Sequence, residues 1–120
     1  MFECTEFGTL TYVKKVLWHP KAKVEVKDFP DDVKRELGYL IFRLQQGESP
    51  GLPASRPMPD VAAGVSELRV RGSDGVYRAF YYLKLENHVL VFHAFKKKTQ
   101  ATPPHEIKLG TKRFKELTDG

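Results

Sequence analysis

The run Gly72-Ser73-Asp74-Gly75 stands between two segments of alternating apolar residues, and the pattern reads as a hairpin loop inside an antiparallel meander from Val65 to Pro104. If Arg71 faces Val76 across the loop, counting back puts Arg69 opposite Arg78. Directly opposed residues of an antiparallel pair project to the same side, so two guanidinium groups meet on one face and repel. An anionic group is expected between them. A two-residue turn near Glu86, Asn87 and His88 would set His93, Phe95 and Lys97 on that same face, and Phe80, Tyr82 and Val91 share its parity. A three-residue turn or a bulge in the second hairpin would reverse the parity.

At 120 residues the chain suits a single domain, residues 1–120, with one modest core, and 41% hydrophobic residues are enough to build it. Twenty Lys and Arg against 15 Asp and Glu give a formal charge of +5, which favours an anionic partner without naming one. The sole cysteine, Cys4, excludes an intramolecular disulfide framework and a Cys-cluster zinc site, in line with a reducing cytosol. The first residues, MFECTEFGTLTYVKK, lack the pattern of a signal peptide, and no segment approaches the roughly 20 apolar residues that cross a bilayer. A soluble, cytoplasmic protein without a membrane partner is expected. Residues 1–9 show little periodicity and are expected to form a loose extension.

Thr11 to Trp18 reads as a short first strand. From Pro30 to Gln46, Val33, Leu37, Leu40, Ile41 and Leu44 recur at helical spacing, Asp31 and Asp32 sit in the first turn and Gly47 follows, which predicts a helix. Gly38 inside it costs about 1 kcal/mol relative to Ala, and close packing on the sheet is the expected compensation. The proline-rich stretch 47–64 has no periodicity and reads as a long loop. Strands follow at Val65–Arg71, Val76–Leu85 and Val89–Phe95. Thr102 and Pro103 then supply a cap and first turn for a last helix with Ile107, Phe114 and Leu117 on one face. The result is an α+β fold, an antiparallel or mixed sheet packed with a helix from the N-terminal half and a C-terminal helix, with one sheet face partly open.

A face that mixes cations with aromatics suits RNA, whose phosphates pair and whose bases stack. The alternative is that the aromatics are core and the arginines are held by Glu67 or by a helix carboxylate. A strand-to-helix salt bridge fits Arg69 better than Arg78. For the lysine run the alternative is a solvated strand end, and for His93 a packed, hydrogen-bonded ring. His19, His88 and His105 are scattered in loop segments with no paired spacing and no nearby carboxylate, so no metal site or cofactor is expected.

Three blocks, ELR at Glu67–Arg69, DGVYRAFYY at Asp74–Tyr82 and LVFHAFKKKTQATP at Leu90–Pro103, occur in order, and FPDDVKRELGYLIFRLQQGESP precedes them. Across Lys15 to Leu117 the chain resembles the phage-related RelE/HigB-like toxin family of type II toxin–antitoxin systems, within the RelE/ParE superfamily. The resemblance implies a small toxin that enters the ribosomal A site and cuts messenger RNA without metal, restrained by a helix-turn-helix, HigA-like antitoxin. The implied chemistry is attack of a ribose 2′-hydroxyl on its phosphate, which needs a base, positive charge for the phosphorane and a proton for the 5′-oxygen.

Arg78 matches the arginine of the family's YR block and Arg69 that of its ELR block; both would stabilise the phosphorane, and neither serves as a base because arginine stays protonated. Lys96, Lys97 and Lys98 match the basic run. Crowding lowers a lysine pKa, which makes Lys97 a candidate acid or base, and Lys96 and Lys98, with Arg71 and Tyr82, would bind RNA. His93, in the HAF segment, is a further candidate proton carrier. Thr99 and Gln100 are expected to shape the turn. After Lys98 the chain reads TQATPPHEIKLG, without the tyrosine found in many relatives, so acid and base stay unassigned. Two other readings remain: a non-catalytic toxin resembling the ParE branch that binds DNA gyrase, and a plain RNA- or protein-binding module.

Overall fold

In the computed structural model, which describes residues 2–4, 10–83, 87–97 and 101–118, the chain runs β1 (Phe2–Cys4), β2 (Leu10–Tyr12), β3 (Lys15–Trp18), α1 (Pro20–Lys27), α2 (Asp31–Gln45), β4 (Ser55–Pro57), β5 (Val65–Gly72), β6 (Gly75–Tyr82), β7 (His88–Lys97) and α3 (Pro104–Thr118). β1 and β2 pair in a small antiparallel sheet. The main sheet has the order β3-β7-β6-β5-β4, with β3 parallel to β7 and the other neighbours antiparallel. The architecture is the expected α+β with a mixed sheet. No helix among the described residues is long and apolar enough to cross a membrane.

The alternating apolar pattern around Gly72–Gly75 produces the expected hairpin register, with Arg69 opposite Arg78 and Arg71 opposite Val76. In the second hairpin Arg78 faces Phe95, Phe80 faces His93 and Val76 faces Lys97, so the parity expected for these three β7 residues holds. Closer to the tip the count changes: Tyr81 faces Val91 and Tyr82 faces Leu90, leaving Phe92 as an extra residue in β7. This bulge overturns the expectation for Val91, which packs with Tyr81 and Val89 on the opposite side of the sheet. Glu86, in the expected turn, lies outside the described residues.

Helix α2 covers one face. Val33, Leu37, Leu40, Ile41 and Leu44 are buried against Leu68, Val70, Ala79 and Val91, each burial worth roughly 1.5–3 kcal/mol. The helix ends where Gly47 takes φ +87°, a left-handed conformation that glycine adopts without penalty, and its N–H reaches Leu44 O at 3.0 Å. Gly38 does not pack on the sheet as expected: it is exposed, and an added Cβ would meet nothing within 4 Å. The close approach is made by α3. A Cβ on Gly110 would lie 2.7 Å from the Phe80 ring, so only glycine lets this helix settle on the second face.

That second face is covered, not open. Phe80, Leu90, Phe92 and Phe95 are buried together with Met58 and Val61 from the proline-rich stretch, and Ile107 and Phe114 of α3 pack against them. Leu117, expected on the same stripe, stays exposed. Helix α3 begins at Pro104, one residue beyond the expected first-turn proline.

Three further expectations change. The segment Thr11–Trp18 divides between two sheets, because β2 returns along β1 while β3 joins β7. Within residues 1–9, expected to be loose, Phe2–Cys4 form a strand that includes Cys4. The stretch 47–64 contains β4, an edge strand paired with β5, and α1 fills the segment after Trp18, for which the sequence pattern indicated no element. Its eight residues have no acidic first turn and weak amphipathicity; the helix is set by His19, whose Nδ1 accepts from Lys21 N at 3.2 Å, and by Pro20 at its start.

Candidate active site

The anionic group expected between the two opposed arginines is Glu67. It sits on the same strand as Arg69, two residues away, and therefore on the same face. One carboxylate oxygen accepts from Arg78 Nη1 and lies 3.9 Å from Arg69 Nε. Glu67 is fully buried, Arg78 is 3% exposed and the Arg69 side chain 30%. The buried salt bridge thus belongs to Arg78 and runs strand to strand to Glu67, one of the two partners the alternative reading named; the strand-to-helix form, which fitted Arg69 better, is not the one that forms here. Arg78 is nevertheless crowded: burial works against its charge, Glu67 supports it, and Arg69 and Arg56 repel it.

Lys97 shares this face and is 3% exposed. Burial pushes its ammonium below the usual lysine range, Arg78, Arg69 and Arg56 push it further, and Glu67 partly restores it. A cavity of about 370 Å³ opens beside it, walled by Arg56, Pro57, Met58, Pro59 and Asp60 on one side and by Thr102 and Ile107 on the other. A second depression of about 260 Å³ at the sheet edge is lined by Arg69, exposed Arg71, Val76, Pro53, Ala54 and Glu36. Arg69 therefore stands between the buried cluster and an open basic margin.

Other expected site residues lie elsewhere. Lys96 points to the opposite side of β7, across from Tyr77, and its Nζ bonds Asp74 at 2.9 Å; this bond holds Lys96 above the usual lysine range and, first among several causes, Asp74 below the usual carboxylate range. Tyr82 sits at the far end of the sheet, edge-on to Phe114 with ring centroids 4.8 Å apart. Lys98, Thr99 and Gln100 lie outside the described residues. His93 shares the parity but is 1% exposed, and both ring nitrogens are engaged: Nε2 with Glu106 at 2.7 Å and Nδ1 with Arg113 Nη1 at 2.9 Å. Glu25 of α1 completes this network through two bonds to Arg113, at 2.7 and 2.9 Å, and one to Ala94 N. His93 is thus a packed residue that joins α1 and α3 to β7.

Two other histidines, expected to lack carboxylate neighbours, have them. His19 Nε2 is 2.8 Å from Glu116 and His105 Nε2 is 3.3 Å from Glu106. Among the described residues no group of three or more His, Cys, Asp or Glu is arranged to hold a metal ion. Sequence reasoning missed Arg56. It lies in a segment without periodicity, and only the pairing of Arg56 with Glu67 across β4 and β5 brings it to the cluster.

The fold is that of known toxins. The Escherichia coli toxin RelE, solved in the free state as a double arginine-to-alanine mutant, superposes with a TM-score of 0.62 at 20% identity, covering 84% of this chain and 97% of that one. The RelBE2 toxin–antitoxin complex from Mycobacterium tuberculosis gives a TM-score of 0.51 at 19% identity, covering 71% of this chain and 99% of the matched chain. No curated protein sequence matches. The family model described as phage derived protein Gp49-like (DUF891) matches residues 24–115, from α1 to the last turn of α3 and through every residue of the cluster, and the chain belongs to that family.

Proposed function

We propose that the protein is the toxin of a type II toxin–antitoxin pair, an endoribonuclease that cuts messenger RNA in the ribosomal A site without a metal. The observation that carries this reading is the gathering of Arg56, Arg69, Arg78 and Lys97 about a single carboxylate, Glu67. Three guanidinium groups beside Lys97, partly shielded from water, favour a phosphodiester and favour still more the additional negative charge of a phosphorane. The RelE-like fold and the family membership point the same way.

In this mechanism a ribose 2′-oxygen attacks the neighbouring phosphorus as its proton passes to Lys97. Burial, and after it the neighbouring guanidinium groups, lower the Lys97 pKa from the usual lysine range and so ease access to the neutral amine that attack requires, and the growing phosphorane charge raises its basicity during attack. Arg69 binds phosphate oxygens, and Arg78 adds its charge from beneath the surface. The bond from phosphorus to the 5′-oxygen breaks, the 5′-oxygen takes a proton from solvent, and a 2′,3′-cyclic phosphate remains. Arg71 holds the RNA backbone along the sheet edge. The restraining partner is a helix-turn-helix antitoxin, and the working compartment is the cytoplasm.

The test is to add purified protein to a reconstituted translating system and map messenger RNA ends by primer extension, with and without ribosomes. Wild type is expected to give ribosome-dependent cuts that Arg69→Gln reduces by about 10²-fold or more, the scale for losing one preorganised donor. Intact RNA in every lane from folded wild type overturns the nuclease reading.

A further inference from the structure

We infer that Arg56 is a fourth phosphate-binding cation of this site, delivered by the edge strand β4, and that the buried Glu67 carboxylate is the positioning residue that holds the cations around it; the inference rests on the RNA-binding reading above. Arg56 faces Glu67 directly across the β4–β5 pair, so their side chains project to the same side of the sheet. It lines the same cavity as Lys97 although three strand pairings separate their strands. Its charge acts on both Arg78 and Lys97. Because Arg56 is exposed while Arg78 and Lys97 are buried, a phosphodiester entering the cavity meets Arg56 first.

Glu67 is surrounded in a specific order. Arg78 Nη1 donates to it, Arg69 Nε stands 3.9 Å away, and Arg56 is its cross-strand neighbour. Its second carboxylate oxygen finds no hydrogen-bond partner among the described residues. Without this anion the three guanidinium groups would lose the carboxylate that stands among them in a partly dry region.

The experiment measures binding of the full-length protein to a short, wholly 2′-O-methylated RNA, which cannot be cut, across a series of salt concentrations. Arg56→Gln is expected to bind more weakly and to flatten the plot of log affinity against log salt by about 0.7, the loss of one single-strand phosphate contact. In parallel, the Lys97 side chain is titrated by NMR. It is expected to lose its proton at lower pH in Glu67→Gln and at higher pH in Arg56→Gln, opposite shifts that a merely structural role for either residue would not produce. An unchanged salt slope in Arg56→Gln overturns the Arg56 assignment, as does absence of RNA binding by wild type. An unmoved Lys97 titration in folded Glu67→Gln overturns the role of Glu67. If that variant fails to fold, Glu67→Asp, which draws the charge back on a shorter stem, is titrated instead; Lys97 is expected to lose its proton at lower pH than in wild type, and an unmoved titration there overturns the role of Glu67. None of these readouts requires cleavage, so binding that responds as expected in a protein that never cuts messenger RNA would defeat the nuclease reading alone.

Discussion

Arg113 Nη1, on α3, donates to Nδ1 of His93, on β7, at 2.9 Å. A guanidinium has only donors, so Nδ1 must present its lone pair, and the ring proton belongs on Nε2, facing Glu106 at 2.7 Å. His93 is therefore assigned as the neutral Nε2–H tautomer. Its one ring proton is held toward Glu106, and protonation at Nδ1 would set an N–H against Arg113.

Burial is the largest influence on His93 and lowers its pKa from 6.5, outweighing the Glu106 bond and the Glu25 charge; Arg113 adds to the lowering. A base with a depressed folded-state pKa takes up its proton more readily when unfolded. Its contribution is complete above the unfolded value near 6.5 and is lost as pH falls from there through the folded value. Urea unfolding measured from pH 7.5 downward is expected to show a loss of stability below about 6.5 that is smaller in His93→Gln. Equal slopes in the two proteins would contradict the assignment.

Removing Arg78 strands a buried carboxylate. Arg78→Ala is expected to destabilise the fold by about 3–5 kcal/mol, whereas the double variant Arg78→Met, Glu67→Gln, which discharges both partners, should cost clearly less. Urea denaturation of the two variants decides this. Comparable losses would mean that the pair is not electrostatically linked.

Two glycines give opposite outcomes. Gly110→Ala drives a methyl to within 2.7 Å of the Phe80 ring and should cost about 1–3 kcal/mol by lifting α3 from the sheet. Gly38→Ala enters open space on an exposed helical face and should stabilise by roughly 0.5–1 kcal/mol. Thermal melts of both variants test the contrast.

If Lys97 accepts the 2′-hydroxyl proton, single-turnover cleavage rises with pH and levels off above a value below 10.5, because the working form is the neutral amine. Lys97→Arg, which keeps the charge but does not release a proton, should retain RNA binding and lose cleavage by about 10²-fold or more. Full activity in Lys97→Arg would exclude proton transfer by this residue.

The β5–β6 register and helix α2 were legible in the sequence because both are local. Alternation around a four-residue turn sets which side each strand residue faces, and a 3.6-residue spacing sets a helical stripe. From the first of these Arg69 and Arg78 could be assigned to one face, and Phe95, Lys97 and His93 joined them only on the condition of a two-residue turn in the second hairpin. What that face meets is a tertiary matter. The Phe92 bulge reassigns Val91, and Gly110 lets α3 settle on Phe80 and close a face expected to be partly open. Burial then separates residues of equal parity. His93 is enclosed by Glu25, Glu106 and Arg113, from helices distant in sequence, while Lys97 borders a cavity made by the proline-rich stretch. Arg56 had no local signal at all, since its place depends on one edge-strand pairing between segments that no short-range periodicity connects. Backbone parity follows from the order of the residues. Exposure, proton state and charge neighbours follow from which distant segments pack above them.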